Sequence, residues 1–314
     1  MAEPKSKYSL FTGVPKSALP AAGFQGFEQL GVIGCGLMGG SFALAMKRAG
    51  LVKRVVGYSK SPSTTQRALQ MGVIDVEAPS ALLAVSGADV VILAVPVGAM
   101  AATFKAIRHL VSPKTLFIDV GSTKQDVVTA AQVALGQHVG SFVPCHPIAG
   151  SEQSGVQSAR ADLYAGKQVI ITPTELTSVE HVERARGLWH ALGCPVSLMS
   201  PQAHDAAFAA VSHLPHLIAF AYMHGLLGQE SPDQLLALAG SGFQDFTRIA
   251  ASEPKLWRDV LLANKAALVD QSRHFQRALH QFEIMLNTDS GAELQKAIAH
   301  VSATRSAWRP TGKN

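Results

Sequence analysis

The sequence contains few cysteines, and none of them stand in a metal-binding or redox spacing. Among its 314 residues there are three, Cys35, Cys145 and Cys194, with no C-x-x-C pair. An odd, widely spaced set excludes a disulfide framework and a cysteine zinc site. The pattern is typical of a protein that stays reduced, and we expect a cytoplasmic location.

Charge is also scarce, and no block of lysine or arginine concentrates it. Charged residues make up 16% of the chain, hydrophobic residues 47%, and the formal net charge is +5. A chain of this composition readily buries a large core. Without a basic cluster, nucleic-acid binding is disfavoured, whereas a small anionic substrate is compatible with the modest positive balance.

The sequence lacks a good signal peptide and a convincing membrane span. Its first 26 residues contain no uninterrupted apolar run, so residues 1–27 are interpreted as an N-terminal tail. Residues 206–228 carry no Lys, Arg, Asp or Glu, but they include His213, His216 and His224. Because such side chains are costly in lipid, this segment is predicted to be a buried helix at a subunit interface.

Two kinds of pattern divide the chain near residue 200. The first part alternates β-rich runs with helical stretches, which predicts a parallel sheet of the Rossmann type. After Met199 the strands stop, and Ser200 followed by Pro201 predicts a helix start. We therefore expect an α/β nucleotide-binding domain over 28–200 and an all-α domain over 201–314. The predicted strands are 30–34, 54–58, 89–96, 115–121 and 141–147, with 168–173 and 195–199 extending the same sheet.

A glycine motif follows the first predicted strand. "GCGLMGG" places Gly34, Gly36 and Gly39 in G-x-G-x-x-G spacing, with Leu37 and Met38 between them, directly before an alanine-rich helix. Glycines here permit a tight turn and close approach of the backbone to a pyrophosphate at the helix N-terminus. In this strand–turn–helix context the motif predicts NAD or NADP binding.

The end of the second strand bears on the choice of cofactor. Sites that select NAD usually place an acidic residue there to bind the ribose hydroxyls. This chain has Ser59 and Lys60 instead. A hydroxyl beside a cation suits a 2′-phosphate, so NADP is slightly favoured over NAD. The alternative is that Lys60 is only a solvated turn residue.

Three predicted strands end in residues with suggestive chemistry. Val95 and Pro96 begin a turn that could wall the cofactor, Ser122 lies in "DVGSTK", and His146 follows Cys145 in "PCHPIAGSE". Ligands bind beyond the carboxyl ends of parallel strands. We expect Ser122 and His146 to share a hydrogen bond, with the histidine as general base. Cys145 cannot pair with His146, since adjacent strand residues point to opposite faces.

The helical half offers further polar candidates. His213 and His216 stand three apart and share a helix face, but no H-E-x-x-H motif or nearby carboxylate completes a metal site, so none is expected. Asp245, Arg248 and Trp257 gather downstream. Arginine is suited to bidentate binding of a carboxylate. Each could equally be a surface or salt-bridged residue.

Taken together, the motifs resemble those of the prephenate/arogenate dehydrogenase family of tyrosine biosynthesis. "DVGSTK", "HPIAGSE", "SHLPH" and "GFQDFTRIA" followed by "WRD" occur in this order, and the resemblance spans about residues 31–286. It implies oxidative decarboxylation of prephenate to 4-hydroxyphenylpyruvate, or of arogenate to tyrosine, with NAD or NADP. It also implies a homodimer formed through the helical domain.

The resemblance assigns roles residue by residue. His146 matches the catalytic histidine that accepts a hydrogen bond from the substrate's ring hydroxyl. Ser122 matches the serine that orients this histidine and the nicotinamide. Arg248 resembles the residue that binds a substrate carboxylate. The remaining substrate-pocket positions implied are His216, His213, Glu152, Asp245 and Trp257.

Two other readings remain open on the residues alone. A β-hydroxyacid dehydrogenase shares the same layout and usually places a catalytic lysine in the helical half, where Lys265 is the candidate. A non-catalytic dinucleotide sensor would bind cofactor without turnover. Within the resembling family, the choice between prephenate and arogenate is also open.

Overall fold

A computed structural model describes residues 26–150 and 153–309 of the chain. Most of the predicted N-terminal tail therefore lies outside the described residues. The strands in the described part are β1 Phe27–Ile33, β2 Val52–Tyr58, β3 Val76–Glu77, β4 Val90–Leu93, β5 Leu116–Asp119, β6 Phe142–Val143, β7 Cys145–Pro147, β8 Val169–Ile171 and β9 Val196–Leu198.

The α-helices alternate with strands in the first half and then follow one another. They are α1 Leu37–Arg48, α2 Pro62–Gln70, α3 Ala81–Val85, α4 Met100–Ile107, α5 Gln125–Leu135, α6 Val179–Ala191, α7 Pro201–Phe208, α8 Leu214–Leu227, α9 Pro232–Ala237, α10 Ser241–Thr247, α11 Pro254–Ala263, α12 Lys265–Asn287 and α13 Gly291–Ala307.

Six parallel strands form the central sheet, in the order β3-β2-β1-β4-β5-β6. The chain moves outward from β1 to β3 and then returns to the other side of β1 at β4. Such a reversal leaves a crevice at the carboxyl ends of the two strands, which is where open α/β sheets bind ligands. The predicted Rossmann-type sheet followed by a helical domain is confirmed.

Both faces of this sheet are buried, which explains why its strands are almost wholly apolar. Consecutive residues of β1 point to opposite faces, so that Val32 joins one core with Phe42 of α1, and Ile33 joins another with Phe104 of α4. All four side chains are at most 2% exposed. The helices packed on either face of the sheet therefore hold the carboxyl ends of β1 and β4 in place.

The prediction that 168–173 and 195–199 extend the main sheet is wrong. They contain β8 and β9, which with β7 form a separate three-stranded sheet, and β7 runs antiparallel to β8. The run 141–147 divides at Pro144, which has no N–H for a ladder hydrogen bond. Consequently His146 lies within a strand of the second sheet, paired with Ile170, and not past the end of a main-sheet strand.

The helical half begins as the sequence predicts. The Ser200 hydroxyl accepts a hydrogen bond from the Ala203 N–H at 3.1 Å and caps α7, and Pro201 occupies the first turn. Between α7 and α8 the backbone forms a π-helical turn, Ala209–His213. Pro215 lacks the N–H that would bond to the Val211 carbonyl, and a widened turn is one way in which a helix accommodates that gap.

The continuous helical stretch Pro201–Leu227 is long and apolar enough to cross a membrane by length and composition. Only 17% of its most apolar window is buried within the single chain, so the expected burial is not achieved within one protomer. Further apolar side chains of the helical half are exposed, including Leu238 at 85% and Leu262 at 64%. This half consequently has a large apolar surface that is available for a partner.

Candidate active site

The glycine motif forms the turn from β1 into α1, and each of its glycines meets a different constraint. Gly34 has φ +98°, and a Cβ there would lie 2.3 Å from the Ala94 carbonyl oxygen. A Cβ on Gly39 would lie 2.0 Å from the Gly34 oxygen. Among the described residues, a Cβ at Gly36 would meet nothing within 4 Å, and Gly36, the N-cap of α1, provides no side-chain cap. The open space and the uncapped helix N-terminus fit a dinucleotide pyrophosphate.

Replacing Gly36 by valine is expected to weaken cofactor binding without unfolding the protein. Gly36 has φ −74°, which any residue can adopt, but its added side chain would occupy the open space. We expect the Kd for the cofactor, measured by calorimetry, to rise at least about tenfold, with an unchanged melting temperature. Gly39→Ala, which is crowded by backbone, is instead expected to lose about 1–3 kcal/mol of stability. Equal loss of stability in both variants would contradict this division.

A cavity of about 760 Å³ lies between the glycine turn, the ends of β4 and β5, and the helical half. Ten of the predicted site residues line it together. They are Gly36, Leu37, Met38, Val95, Pro96, Ser122, His146, His216, Arg248 and Trp257. Residues at the strand ends and residues of the helical half thus line one space.

His146 is buried in the wall of this cavity, with 9% exposure. Its Nδ1 lies 2.8 Å from His204 Nε2, and His204 Nδ1 lies 2.8 Å from Asp205 Oδ1. The partner of Nδ1 is therefore not the Ser122 hydroxyl that the sequence predicts. The reason is topological, since Ser122 follows β5 of the main sheet whereas His146 has passed into β7, which faces α7.

Burial lowers the pKa of His146 well below its ordinary value, and the neighbouring His204, Lys124 and His213 lower it further. Burial also lowers the pKa of His204, against the opposing effect of its hydrogen bond to Asp205. His146 is therefore neutral at pH 7. A neutral, buried imidazole that lines a cavity is suited to accept a proton.

A buried ion pair holds the strand that carries His146. Lys124 Nζ lies 2.5 Å from Asp119 Oδ2, and both side chains are 0% exposed. The same ammonium donates to the Cys145 carbonyl at 2.7 Å, while Asp119 Oδ1 accepts the Cys145 N–H at 2.9 Å. Because both polar groups of Cys145 are bound, the pair fixes β7 beside the end of β5.

On the opposite wall His216 stacks on Trp257, with ring centroids 3.5 Å apart and an interplanar angle of 19°. His216 Nδ1 donates to the Ser212 carbonyl at 3.0 Å, which leaves Nε2 as an acceptor. Burial lowers the pKa of His216, and the Arg248 charge lowers it further. This wall therefore combines a neutral imidazole with a guanidinium.

Several predicted residues do not line the cavity. His213 is buried behind it, with Nδ1 3.1 Å from Asn264 Nδ2, and burial lowers its pKa to about 4. Asp245 is exposed on α10. Gly34 and Gly39 support the turn, and Ser59 accepts the Cys35 N–H at 2.8 Å. Lys60 is exposed beside Ser59. Glu152 lies outside the described residues.

Sequence reasoning missed several residues that belong to this site. His204 and Asp205 were not singled out, although the adjacent pair "HD" in the first helix after the sheet was a visible signal. Phe208 stacks on His204 with centroids 4.4 Å apart and also lines the cavity. Lys167, a second cation of the lining, precedes β8. Nothing in its spacing pointed to the cavity, because the second sheet was not foreseen.

Lys265, the candidate lysine of the β-hydroxyacid dehydrogenase alternative, is exposed at the start of α12 and does not line the cavity. Its position gives that alternative no support. The groups available around the cavity instead include the imidazoles of His146 and His216, the Ser122 hydroxyl, the cations Arg248 and Lys167, and the carboxylate of Glu253.

Comparison with known proteins extends these observations. A family model described as the prephenate dehydrogenase nucleotide-binding domain matches residues 42–198, and one described as the prephenate dehydrogenase dimerization domain matches residues 200–300. A Bacillus subtilis prephenate dehydrogenase is 36% identical over 263 residues, which are 83% of this chain and 71% of that protein.

Solved structures agree. Prephenate dehydrogenase from Aquifex aeolicus, in complex with hydroxyphenyl propionate and NAD+, has a TM-score of 0.84 and 34% identity, covering 89% of this chain and 97% of that chain. Synechocystis arogenate dehydrogenase has a TM-score of 0.75 and 27% identity, covering 88% and 99% of the two chains. With its glycine turn, its buried imidazole and two matching family models, this chain belongs to the prephenate dehydrogenase family.

Proposed function

We propose that this chain oxidatively decarboxylates prephenate to 4-hydroxyphenylpyruvate, with NAD or NADP as hydride acceptor. The observation that carries the proposal is the cavity itself. It brings the dinucleotide-binding turn, the neutral His146 and the cations Arg248 and Lys167 to one space. A site of this kind can remove a hydride and a proton from an anionic alcohol.

His146 is the proposed general base. Its imidazole is neutral at pH 7 because burial lowers its pKa, so it can take the proton of the substrate's ring hydroxyl. Ser122 lines the same cavity at the end of β5 and is proposed to orient His146 and the nicotinamide, as the family resemblance implies. Val95, Pro96 and the turn residues Leu37 and Met38 are proposed to hold the cofactor, whose role when bound is to accept the hydride.

Two cationic side chains are proposed to bind the carboxylates of the substrate. Prephenate is a dianion, and among the described residues Arg248 lines the cavity on the opposite wall and Lys167 lines it beside β8, on the side of His146. The carboxylate of Glu253 also lines the cavity and is engaged in capping α11. Arginine binds carboxylates in a bidentate manner and lysine as a point charge. His216, stacked on Trp257, supplies a further polar contact. The predicted substrate roles of His213, Glu152 and Asp245 remain proposals, and His213 would act from behind the lining.

The overall reaction balances without a net proton. Proton transfer to His146 and hydride loss leave a ring ketone. Carbon dioxide then departs from the opposite ring carbon, and its bonding pair makes the ring aromatic. The resulting phenolate takes the proton back. Aromatisation and loss of a gas make the reaction effectively irreversible.

The activity is expected to depend on pH through His146. Because its pKa is below the ordinary 6.5, the neutral base predominates at pH 7 and is lost only as the pH falls through the lowered pKa. We expect kcat/KM for prephenate to stay constant down through about pH 6.5 and to fall only at lower pH, as the pH passes the lowered pKa of His146. A profile of initial rates tests this. A fall centred at or above about pH 6.5 would contradict it.

NADP is proposed as the preferred cofactor, on the strength of Ser59 and Lys60. Lys60→Ala is expected to lower kcat/KM with NADP about tenfold, the scale of one charged hydrogen bond, and to leave kcat/KM with NAD unchanged. Lys53→Ala, at the other end of β2, is the matched control and is expected to change neither. If Lys60→Ala changed kcat/KM equally with both cofactors, Lys60 would not discriminate between them and would be only a solvated turn residue.

A homodimer formed through the helical half is proposed as the assembly. The exposed apolar side chains of that half support it, as does the match to a dimerization-domain model over 200–300. Sedimentation should give twice the mass of one chain. The proposed boundary near residue 200 is supported by the change from strands to helices at Ser200. The three free, buried cysteines support the proposed cytoplasmic location.

The test of the proposed function is cofactor reduction in parallel reactions with prephenate and with arogenate, each with NAD and NADP. Reduction with prephenate is expected. Reduction with arogenate but not with prephenate would show that the site selects the amino-acid side chain of arogenate. No reduction with either compound would overturn the proposal. A dinucleotide sensor predicts cofactor binding without any turnover.

A further inference from the structure

His146 is joined to the helical half by a chain of two hydrogen bonds. The first links its Nδ1 to His204 Nε2 and the second links His204 Nδ1 to Asp205 Oδ1, each at 2.8 Å. His204 is 0% exposed and Asp205 1%. No solvent reaches the links, and the direction of each bond depends on the groups themselves.

The Asp205 carboxylate fixes the direction of both bonds. Asp205 also accepts the backbone N–H groups of Lys124 and Gln125, each at 2.9 Å. Burial by itself raises the pKa of Asp205, but the hydrogen bonds from His204 and the two backbone N–H groups outweigh it, and the pKa is lowered. Asp205 is therefore ionised and can only accept. The hydrogen between Asp205 and His204 belongs to His204 Nδ1.

The proton on His204 Nδ1 also determines the direction of the hydrogen bond between the two histidines. Neutral His204 with a proton on Nδ1 has a bare Nε2, which can only accept. The hydrogen between the two histidines must then belong to His146 Nδ1. In neutral His146 this leaves Nε2 without a proton, and Nε2 is the ring nitrogen that is not engaged by His204.

We propose that His204 and Asp205 are positioning residues that hold His146 in the tautomer whose Nε2 is the base, and that they accept charge when His146 is protonated. This inference rests on the proposed function. When Nε2 takes the hydroxyl proton, the proton on Nδ1 can shift to His204 Nε2. The cation then forms directly beside the Asp205 carboxylate, and the shift reverses when the phenolate takes its proton back.

A neighbouring charged group disfavours a cation on His146 itself. The Lys124 ammonium opposes a positive charge there, whereas His213, whose pKa is lowered to about 4, is neutral at pH 7. The charge of Lys124 is paired with Asp119, and Asp126 lies on α5 near Asp205 with its pKa raised by burial. Asp205 is the carboxylate joined to His146 through His204. Asp205 belongs to α7 and accepts N–H groups at the start of α5. The tautomer of His146 therefore depends on the packing of the helical half against the sheet domain.

Two variants of His204 separate alignment from a merely structural role. The glutamine of His204→Gln can still accept from His146 Nδ1, but it cannot take a proton. His204→Leu removes both functions. We expect kcat for prephenate to decrease in the order wild type, His204→Gln, His204→Leu, with the leucine variant about 10- to 100-fold below wild type. KM for prephenate and the cofactor Kd should change less than about threefold.

His181→Gln is the matched control. His181 is also a buried histidine, 4% exposed, with a ring nitrogen 2.9 Å from the Pro113 carbonyl, but Pro113 precedes β5 at the far end of the sheet. This variant should lose stability without losing kcat. Loss of kcat in His204→Leu that merely follows its melting temperature, or a glutamine variant no better than leucine, would overturn the inference.

The tautomer can be read without any turnover. In protein with ¹⁵N-labelled histidine at pH 7, the ring resonances of His146, assigned by their loss in His146→Asn, should show a protonated Nδ1 and a bare Nε2. A proton on Nε2 would overturn the inference, whatever the activity. If the wild type shows the expected tautomer but does not reduce cofactor with prephenate, the proposed function fails separately. If the wild type turns over prephenate and the His204 variants keep the same kcat, the proposed function stands and the inference about His204 and Asp205 fails.

Discussion

Replacing His146 by asparagine is expected to lower kcat for prephenate by about 10²- to 10⁴-fold, the range that a positioned general base contributes. Asparagine keeps a polar group near Nδ1 but offers no group that takes a proton at neutral pH. The turn at Gly36 and the opposite wall with Arg248 are untouched by the change, so KM and the cofactor Kd should stay close to wild type. Steady-state kinetics and calorimetry measure both.

The same kinetics on His181→Asn provide the control, because this histidine is buried but lies at the opposite end of the sheet from the cavity. Its kcat should match wild type. Turnover by His146→Asn within about threefold of wild type would remove His146 from the role of base. A large rise in KM with an unchanged kcat would reassign it to substrate binding.

Breaking the buried pair at Lys124 is expected to cost about 3–5 kcal/mol of unfolding free energy. In Lys124→Met the Asp119 carboxylate loses its ammonium partner while both side-chain positions are fully buried. The Cys145 carbonyl loses its donor as well, so kcat should also fall because β7 carries His146. Denaturant-induced unfolding and kinetics on the same preparation measure the two effects.

An exposed ion pair supplies the control for Lys124. Lys53 lies 2.6 Å from Glu28, with side chains 75% and 74% exposed, and Lys53→Met should cost about 0–1 kcal/mol. Adding Asp119→Asn to Lys124→Met removes the stranded charge and should restore part of the stability. Equal stabilities of Lys124→Met and Lys53→Met would show that the buried pair contributes nothing particular.

The sequence allowed the cofactor turn to be predicted because local chemistry determines it. A Cβ on Gly34 or Gly39 would collide with a backbone carbonyl oxygen, whereas Gly36 leaves open space. All three glycines lie in one contiguous strand–turn–helix segment. The cap at Ser200 is local in the same way. Such features need no knowledge of what packs against them.

The partner of His146 could not be predicted because it is set by tertiary contacts. Residues 146 and 204 are far apart in sequence, and their contact depends on β7 leaving the main sheet at Pro144. The apolar runs that form β8 and β9 look the same whether they extend one sheet or build a second, since periodicity records burial and not the identity of the neighbouring strand. The position of Lys167 in the cavity follows from that second sheet.

The residues of the opposite wall could be predicted only in part. Arg248, His216 and Trp257 were singled out by their chemistry and by the family resemblance, and the cavity brings them together. His213 shares a helix face with His216 in an ideal α-helix, but the π-helical turn Ala209–His213 comes between α7 and α8. Helical spacing alone could not indicate which of the two histidines lines the cavity.

The most direct test of the account is the stoichiometry of a single reaction. Purified protein is mixed with prephenate and NADP, and the reduced cofactor, carbon dioxide and 4-hydroxyphenylpyruvate are quantified together, in wild type and in His146→Asn. We expect equal amounts of all three products from wild type and almost none from the variant. Reduced cofactor without carbon dioxide, or products formed equally well by the variant, would contradict it.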